Sequence, residues 1–71
     1  MNKRSEISTL RNRGFLAGVS AYARGLPCVP AHDAELPAVS AGLPIGPGAI
    51  AVLQGWVAGW TAANLAAPVH E

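Results

Sequence analysis

The sequence has few aromatic residues, few charges and a single cysteine. Of its 71 residues, 6% are aromatic and 13% are charged. A core this small contributes only about 3–5 kcal/mol net, so we predict one small domain spanning 1–71 that is marginal without a partner. Cys28 has no second cysteine to pair with inside the chain. This favours a reducing compartment, and we expect a cytoplasmic protein in which Cys28 is a small buried hydrophobe.

A secretory signal is the weaker alternative. The stretch 14–20 is short and apolar, and Ala21-Tyr22-Ala23 mimics a cleavage site. However, the residues before it include Glu6, and the apolar run is at the minimum of roughly 7 residues.

The sequence also lacks the usual equipment of an enzyme. It has no glycine-rich phosphate loop with its lysine, and no nucleophile placed beside a base. Cys28 near His32, Asp33 and Glu35 offers one thiol, short of the roughly four good ligands of a closed zinc site. We therefore predict no catalytic residue, no metal, no cofactor and no small-molecule substrate.

Charge is distributed unevenly along the chain. Through Arg24 there are five basic residues against Glu6, a net of +4, whereas the rest carries three acidic residues and no basic one, a net of −3. The basic residues are Lys3, Arg4, Arg11, Arg13 and Arg24. The first third is therefore the natural place for a phosphate-bearing partner.

Proline is concentrated in the middle of the chain. Five of the six prolines fall between Gly25 and Gly48, a density that blocks a regular helix or central strand. The pattern predicts an all-α protein with a helix over about 5–24, a long Pro/Gly-rich linker over about 25–47 and a helix over about 48–67. Ser5 or Ser8 would cap the first helix and Gly25 would stop it, while Pro47 is tolerated in the first turn of the second.

Small residues predict where the two helices pack. Gly14 and Gly18 each cost up to about 1 kcal/mol relative to alanine in a helix, so something should approach their backbone closely. The second helix has a dominant face of Val52, Leu53, Trp56, Trp60, Ala63 and Ala67, and a neighbouring row of Ala51, Gly55, Gly59 and Ala63. We expect the two indoles to lie in the groove left by Gly14, Ala17, Gly18 and Ala21. The predicted structural residues are Gly14, Ala17, Gly18, Trp56, Gly59, Trp60 and Ala63.

Two segments and the cysteine resemble the ribosome modulation factor family. Arg13-Gly14-Phe15-Leu16-Ala17-Gly18-Val19 is similar to the family's Arg-Gly-aromatic-x-Ala-Gly-aliphatic signature. Trp56-Val57-Ala58-Gly59-Trp60-Thr61-Ala62-Ala63 is similar to its Trp-x-x-Gly-Trp-x-x-Ala. Cys28 stands about where the family places its Cys-Pro pair.

The resemblance implies a two-helix protein that docks on the small ribosomal subunit, near the end of its ribosomal RNA that pairs with messages. There it would block initiation and favour inactive ribosome dimers in starved or stationary bacterial cells. The expected RNA contacts are Lys3, Arg4, Arg11, Arg13, Phe15 and Arg24, with the cations on phosphates and the ring on an unpaired base.

Two other functions compete with this one. Residues 48–67 carry no charge and contain a small-xxx-small row, as a single membrane-spanning helix would; Gln54, Asn64 and the absence of Lys/Arg anchors make this the second choice. Some small proteins of the same superfamily have been proposed to phosphorylate fluoroquinolones, so an antibiotic-modifying enzyme is the third. The sequence leaves the oligomeric state open.

Overall fold

The computed structural model describes residues 3–39, 42 and 46–67, with the backbone alone described for 3–5. Within these residues the structure is helical and has no strand. Helix α1 spans Lys3–Ala23, a 3-10 turn spans Pro30–His32, α2 spans Leu36–Val39 and α3 spans Pro47–Ala66. The prediction of an all-α protein with two long helices is confirmed.

The C-terminal end of α1 is set by Gly25, as predicted. Gly25 has a φ of +82°, which glycine adopts without strain. The Leu26 N–H donates to the Ala21 carbonyl and the Gly25 N–H to the Tyr22 carbonyl, each at 3.0 Å. This pair of bonds is a Schellman motif, and it satisfies two carbonyls that the helix leaves free.

The N-terminal end of α3 lies where it was predicted, but that of α1 does not. Helix α3 begins at Pro47, as predicted, because a first-turn proline lacks only an N–H that the helix does not use. Helix α1 begins at Lys3, so the prediction that Ser5 or Ser8 caps it is wrong. Both serines lie inside the helix, since Lys3 and Arg4 are good helix formers that extend it toward the N-terminus.

The glycines of α1 meet the backbone of α3. A Cβ placed on Gly14 would lie well inside 3.0 Å of the Val52 carbonyl oxygen, and one on Gly18 would clash in the same way with the Trp56 carbonyl. Real Cβ atoms do not approach a carbonyl this closely. At both points, therefore, only glycine lets the two backbones touch.

The glycines of α3 make the reciprocal contact. A Cβ on Gly55 would clash with the Arg11 carbonyl, and one on Gly59 with the Phe15 carbonyl. Along α3 the contact advances by four residues from Gly55 to Gly59, and along α1 it advances by four in the same direction. The two long helices therefore run parallel and interlock through glycines on both sides.

A parallel pair requires the chain to return along its length, and the segment 24–39, here called the strap, begins this return. Its Leu26 accepts a hydrogen bond from Trp60 and its Asp33 accepts one from Trp56, so the strap runs opposite to α3. The prediction that the prolines block a regular helix here is wrong for part of this segment, because the strap contains the 3-10 turn and the short helix α2. Pro30 and Pro37 fall in the first two positions of these elements, where a missing N–H costs little.

The core lies between the helix pair and the strap. Ala21, Leu36, Val52 and Trp56 are buried together, with Trp56 and Val52 fully enclosed. The indoles do not sit over the glycines as predicted, because the backbone of α3 itself occupies that groove. Trp56 turns instead toward the strap, and Leu53, predicted on the inner face, is 44% exposed.

Helix α3 is the segment whose lack of charge suggested a membrane span. Gln54, Gly55, Gly59 and Asn64 lower its apolar character. Among the described residues, no helix combines the length and the hydropathy that crossing a bilayer requires.

Candidate nucleic-acid interface

The strap covers only one side of the helix pair. On α1, Leu10 and Ala17 pack against the core beneath the strap. At 100° per residue, Arg11, Phe15 and Val19 lie on the opposite border of α1, and all three are exposed. We call the uncovered side the open face. It consists of Arg11, Phe15 and Val19 of α1 and Ala58 and Ala62 of α3.

Arg11 and Phe15 are neighbours on the open face because they are four residues apart on one helix. Phe15 is 37% exposed, so its ring is partly accessible. The carbonyls of both residues abut glycines of α3, which fixes the backbone beneath the two side chains. A guanidinium beside an accessible ring can hold a phosphate while the ring stacks on an unpaired base.

The other predicted cations of α1 do not share this position. Arg13 is exposed, but at two residues from Arg11 it lies about 200° around the helix, on the far side of α1. Lys3 and Arg4 belong to the first turn of α1, and their side chains lie outside the described residues. Arg11 is therefore the described arginine that shares the open face with Phe15.

Arg24 is engaged within the protein. Its Nη2 donates to both carboxylate oxygens of Asp33, at 3.1 and 3.2 Å, and its Nη1 lies 2.9 Å from Oε2 of Glu35. Its Nε also donates to the Ser20 hydroxyl at 3.4 Å. The predicted RNA contact of Arg24 thus competes with two carboxylates on the strap, and in this structure Arg24 fastens the strap to the end of α1.

Asp33 holds the strap against the two long helices, a role that the sequence analysis did not assign to it. Its side chain has no exposed area, and its carboxylate accepts from Trp56 Nε1 at 2.9 Å and from the Glu35 N–H at 2.9 Å, besides Arg24. Burial works to raise the pKa of Asp33, but the hydrogen bonds from Trp56, Glu35 and Arg24 outweigh it, so the pKa lies below its ordinary value. The only available signal was an acidic residue in an apolar linker, soon after a basic helix end.

Trp60 packs against the strap, whereas Cys28 of the strap lies at the surface. Trp60 Nε1 donates to the Leu26 carbonyl at 2.8 Å, and its ring packs nearly perpendicular to that of Tyr22 with centroids 5.4 Å apart. Cys28 is exposed, so the prediction of a buried Cys28 is wrong. The strap between Pro27 and Pro30 turns away from the core, which leaves the thiol outside.

The residues predicted to be structural gather around the helix contact. Gly14, Gly18 and Gly59 lie at the crossing itself. Ala17, Trp56 and Trp60 belong to the core or pack against it, and Ala63 is half-buried on α3.

Comparison with protein-family models, curated proteins and solved structures finds no match to this chain. Its function must therefore be argued from its own residues.

Proposed function

We propose that this protein is a ribosome-associated translation-silencing factor that binds ribosomal RNA of the small subunit through its open face. The observation that carries the proposal is the exposure of Arg11 beside Phe15 on the side of the helix pair that the strap leaves uncovered. Cations on phosphates fix the position of a protein on RNA, and exposed rings stack on splayed bases. Such a factor would act in the bacterial cytoplasm.

The close contact between α1 and α3 through their glycines supports the family resemblance. The two segments that resemble ribosome modulation factor, 13–19 and 56–63, lie against each other in the fold. Gly18 of the first segment abuts the Trp56 carbonyl of the second, and Gly59 of the second abuts the Phe15 carbonyl of the first. The motif glycines are therefore residues that this helix pair requires.

The mechanism we propose is steric. A helix pair seated on the RNA where messages pair would exclude them, and no side chain has to carry out chemistry. Because Arg24 is held by Asp33 and Glu35, at most four of the predicted cations remain for phosphate. The logarithm of affinity should then fall against the logarithm of salt concentration with a slope no steeper than about −2.8, as for a single strand.

Matched arginine variants test the proposal. Arg11→Ala and Arg13→Ala remove the same charge from opposite sides of α1, and Phe15→Leu keeps an apolar side chain while removing the stacking ring. Binding of each to purified small subunits would be measured by co-sedimentation, with circular dichroism to verify the fold. We expect Phe15→Leu to lose about 1–3 kcal/mol of binding, and Arg11→Ala to weaken binding more than Arg13→Ala.

Two results would count against the proposal. One is a wild-type protein that does not sediment with small subunits even at low salt. The other is equal weakening by Arg11→Ala and Arg13→Ala with no effect of Phe15→Leu, which would reduce the interaction to unspecific charge attraction.

A further inference from the structure

Gln54 of α3 places an exposed amide at the border of the open face. Gly55, the next residue, touches α1. Trp56 follows Gly55 by 100° around the helix and faces the strap, where it bonds Asp33. Gln54 precedes Gly55 by 100° and therefore lies on the other side, which the strap leaves uncovered. It is exposed, and its amide has no hydrogen-bond partner among the described residues.

The close helix contact brings Gln54 opposite Arg11 and Phe15. A Cβ on the adjacent Gly55 would clash with the Arg11 carbonyl oxygen and lie 2.9 Å from the Phe15 amide nitrogen. Because these are backbone contacts, the Gln54 side chain starts directly across the helix contact from the guanidinium and the ring. Ala58, one turn after Gln54, is exposed and has only a methyl group, so it leaves room for a flat group between the amide and the ring.

The chemistry of an amide indicates which flat group this is. A glutamine side chain presents an N–H donor beside a carbonyl acceptor. Adenine offers the matching pair, its N6 amino group beside a ring nitrogen, on both its Watson–Crick and its Hoogsteen edge, and glutamine is an established bidentate partner of adenine. The Hoogsteen edge of guanine carries two acceptors and cannot match the amide. A purine also covers more of a phenylalanine ring than a pyrimidine does, so adenine fits best.

We propose that Gln54 reads an unpaired adenine that stacks on Phe15, while Arg11 holds a neighbouring phosphate. This inference rests on the proposed function and names the base that the open face prefers. The three side chains come from two helices, and the glycine contact between these helices sets their relative position. Gln54 thus determines specificity, whereas Arg11 and Phe15 supply affinity for any single strand.

Binding of a short, labelled oligouridylate with one central adenosine, followed by fluorescence anisotropy, tests this inference. In the comparison RNA, purine riboside replaces the adenosine, which removes the N6 amino group and keeps a ring that can stack. We expect the wild type to bind the adenosine RNA at least about fivefold more tightly than the comparison RNA. Gln54→Ala should bind the two RNAs equally, and Phe15→Leu should weaken binding to both.

Asn64→Ala is the matched control for Gln54→Ala. Asn64 is an exposed amide on the same helix. It follows Gly55 by nine residues, so it lies about 180° around α3 from that glycine and points away from α1. Its replacement should leave the preference for adenosine unchanged. Far-UV circular dichroism would verify that each variant is folded.

The outcomes separate this inference from the proposed function. A wild type that binds neither RNA and does not sediment with small subunits overturns both. A wild type that sediments with small subunits but shows no preference for the adenosine RNA overturns the inference alone, and so does a Gln54→Ala protein that keeps the preference. Equal loss of the preference in Gln54→Ala and Asn64→Ala also overturns it, because that result would come from a change in the helix rather than from a contact with the base.

Discussion

Replacing Gly55 by alanine measures how closely the two long helices touch. The added Cβ would lie well inside 3.0 Å of the Arg11 carbonyl oxygen and 2.9 Å from the Phe15 amide nitrogen. Both obstacles are backbone atoms of α1, which cannot rotate away as a flexible side chain would. The helices would have to separate, and the matching contacts at Gly14, Gly18 and Gly59 would loosen with them.

Two opposing terms set the size of the effect. Alanine is favoured over glycine within a helix by about 1 kcal/mol. Overpacking typically costs about 1–3 kcal/mol, and a backbone obstacle places Gly55 toward the upper end of that range. The clash therefore wins, and the net loss should be about 1–2 kcal/mol of a total stability of about 3–5 kcal/mol. For a domain of this size each kcal/mol lowers the melting temperature by about 4–8 °C.

Urea and thermal unfolding, followed by tryptophan fluorescence and circular dichroism, would measure this loss. Ala58→Gly is the control, because Ala58 is exposed on the same helix and its change costs only the propensity difference of about 1 kcal/mol. We expect both variants to be less stable than the wild type. A Gly55→Ala protein more stable than the wild type would refute the close contact, since that is the behaviour of a glycine facing open space.

The bonds that hold the strap supply the other predictions. Asp33→Ala leaves the buried Nε1–H of Trp56 without its acceptor, so urea unfolding should show a loss of about 1–3 kcal/mol. Because folding lowers the pKa of Asp33, its stabilisation is complete above the unfolded pKa of about 3.9 and disappears as the pH falls through the lower folded value. The gap in melting temperature between wild type and Asp33→Ala should therefore narrow as the pH falls below about 4, and a constant gap would contradict this. Trp60→Phe loses only the bond to the Leu26 carbonyl from a part-buried ring and should cost about 0.5–1.5 kcal/mol, less than Trp56→Phe; the reverse order in urea unfolding would contradict the burial.

Local signals in the sequence were enough to predict the two long helices and where they break. A glycine that can adopt positive φ ends α1 at Gly25, and a proline that needs no N–H begins α3 at Pro47. These effects act within a few residues and do not depend on the rest of the chain. The start of α1 was missed because a serine within a helix carries the same local signal as a serine that caps one.

The arrangement of the helices could not be predicted in this way. Glycines spaced by four predict that another group packs closely against the helix. The same spacing fits either an indole side chain or the backbone of a second helix, and that second helix can run parallel or antiparallel. In this protein the two backbones make the contact, because Gly55 and Gly59 of α3 also lack side chains and let the backbone of α1 approach. Trp56 was then free to bond Asp33 instead.

The charge pattern failed in part for a similar reason. A count of basic residues treats Arg11 and Arg24 alike, because it contains no information on which acidic side chains lie near each arginine in the fold. Folding brings Asp33 and Glu35 to Arg24, whereas Arg11 stays exposed on the open face. The sequence therefore located the basic end of the protein, but only the fold distinguishes the exposed Arg11 from Arg24, which is paired with carboxylates.

The parallel direction of α1 and α3 explains why so small a protein has so long a connection. Helix α1 has 21 residues and is about 31 Å long, so the chain needs at least about nine extended residues to return to its start. Residues 24–46 exceed this, and the excess forms the 3-10 turn and α2, which lay Asp33 and Leu36 over the core. The described part of this connection, the strap, covers one side of the pair, and Arg11 and Phe15 on the other side of α1 are exposed.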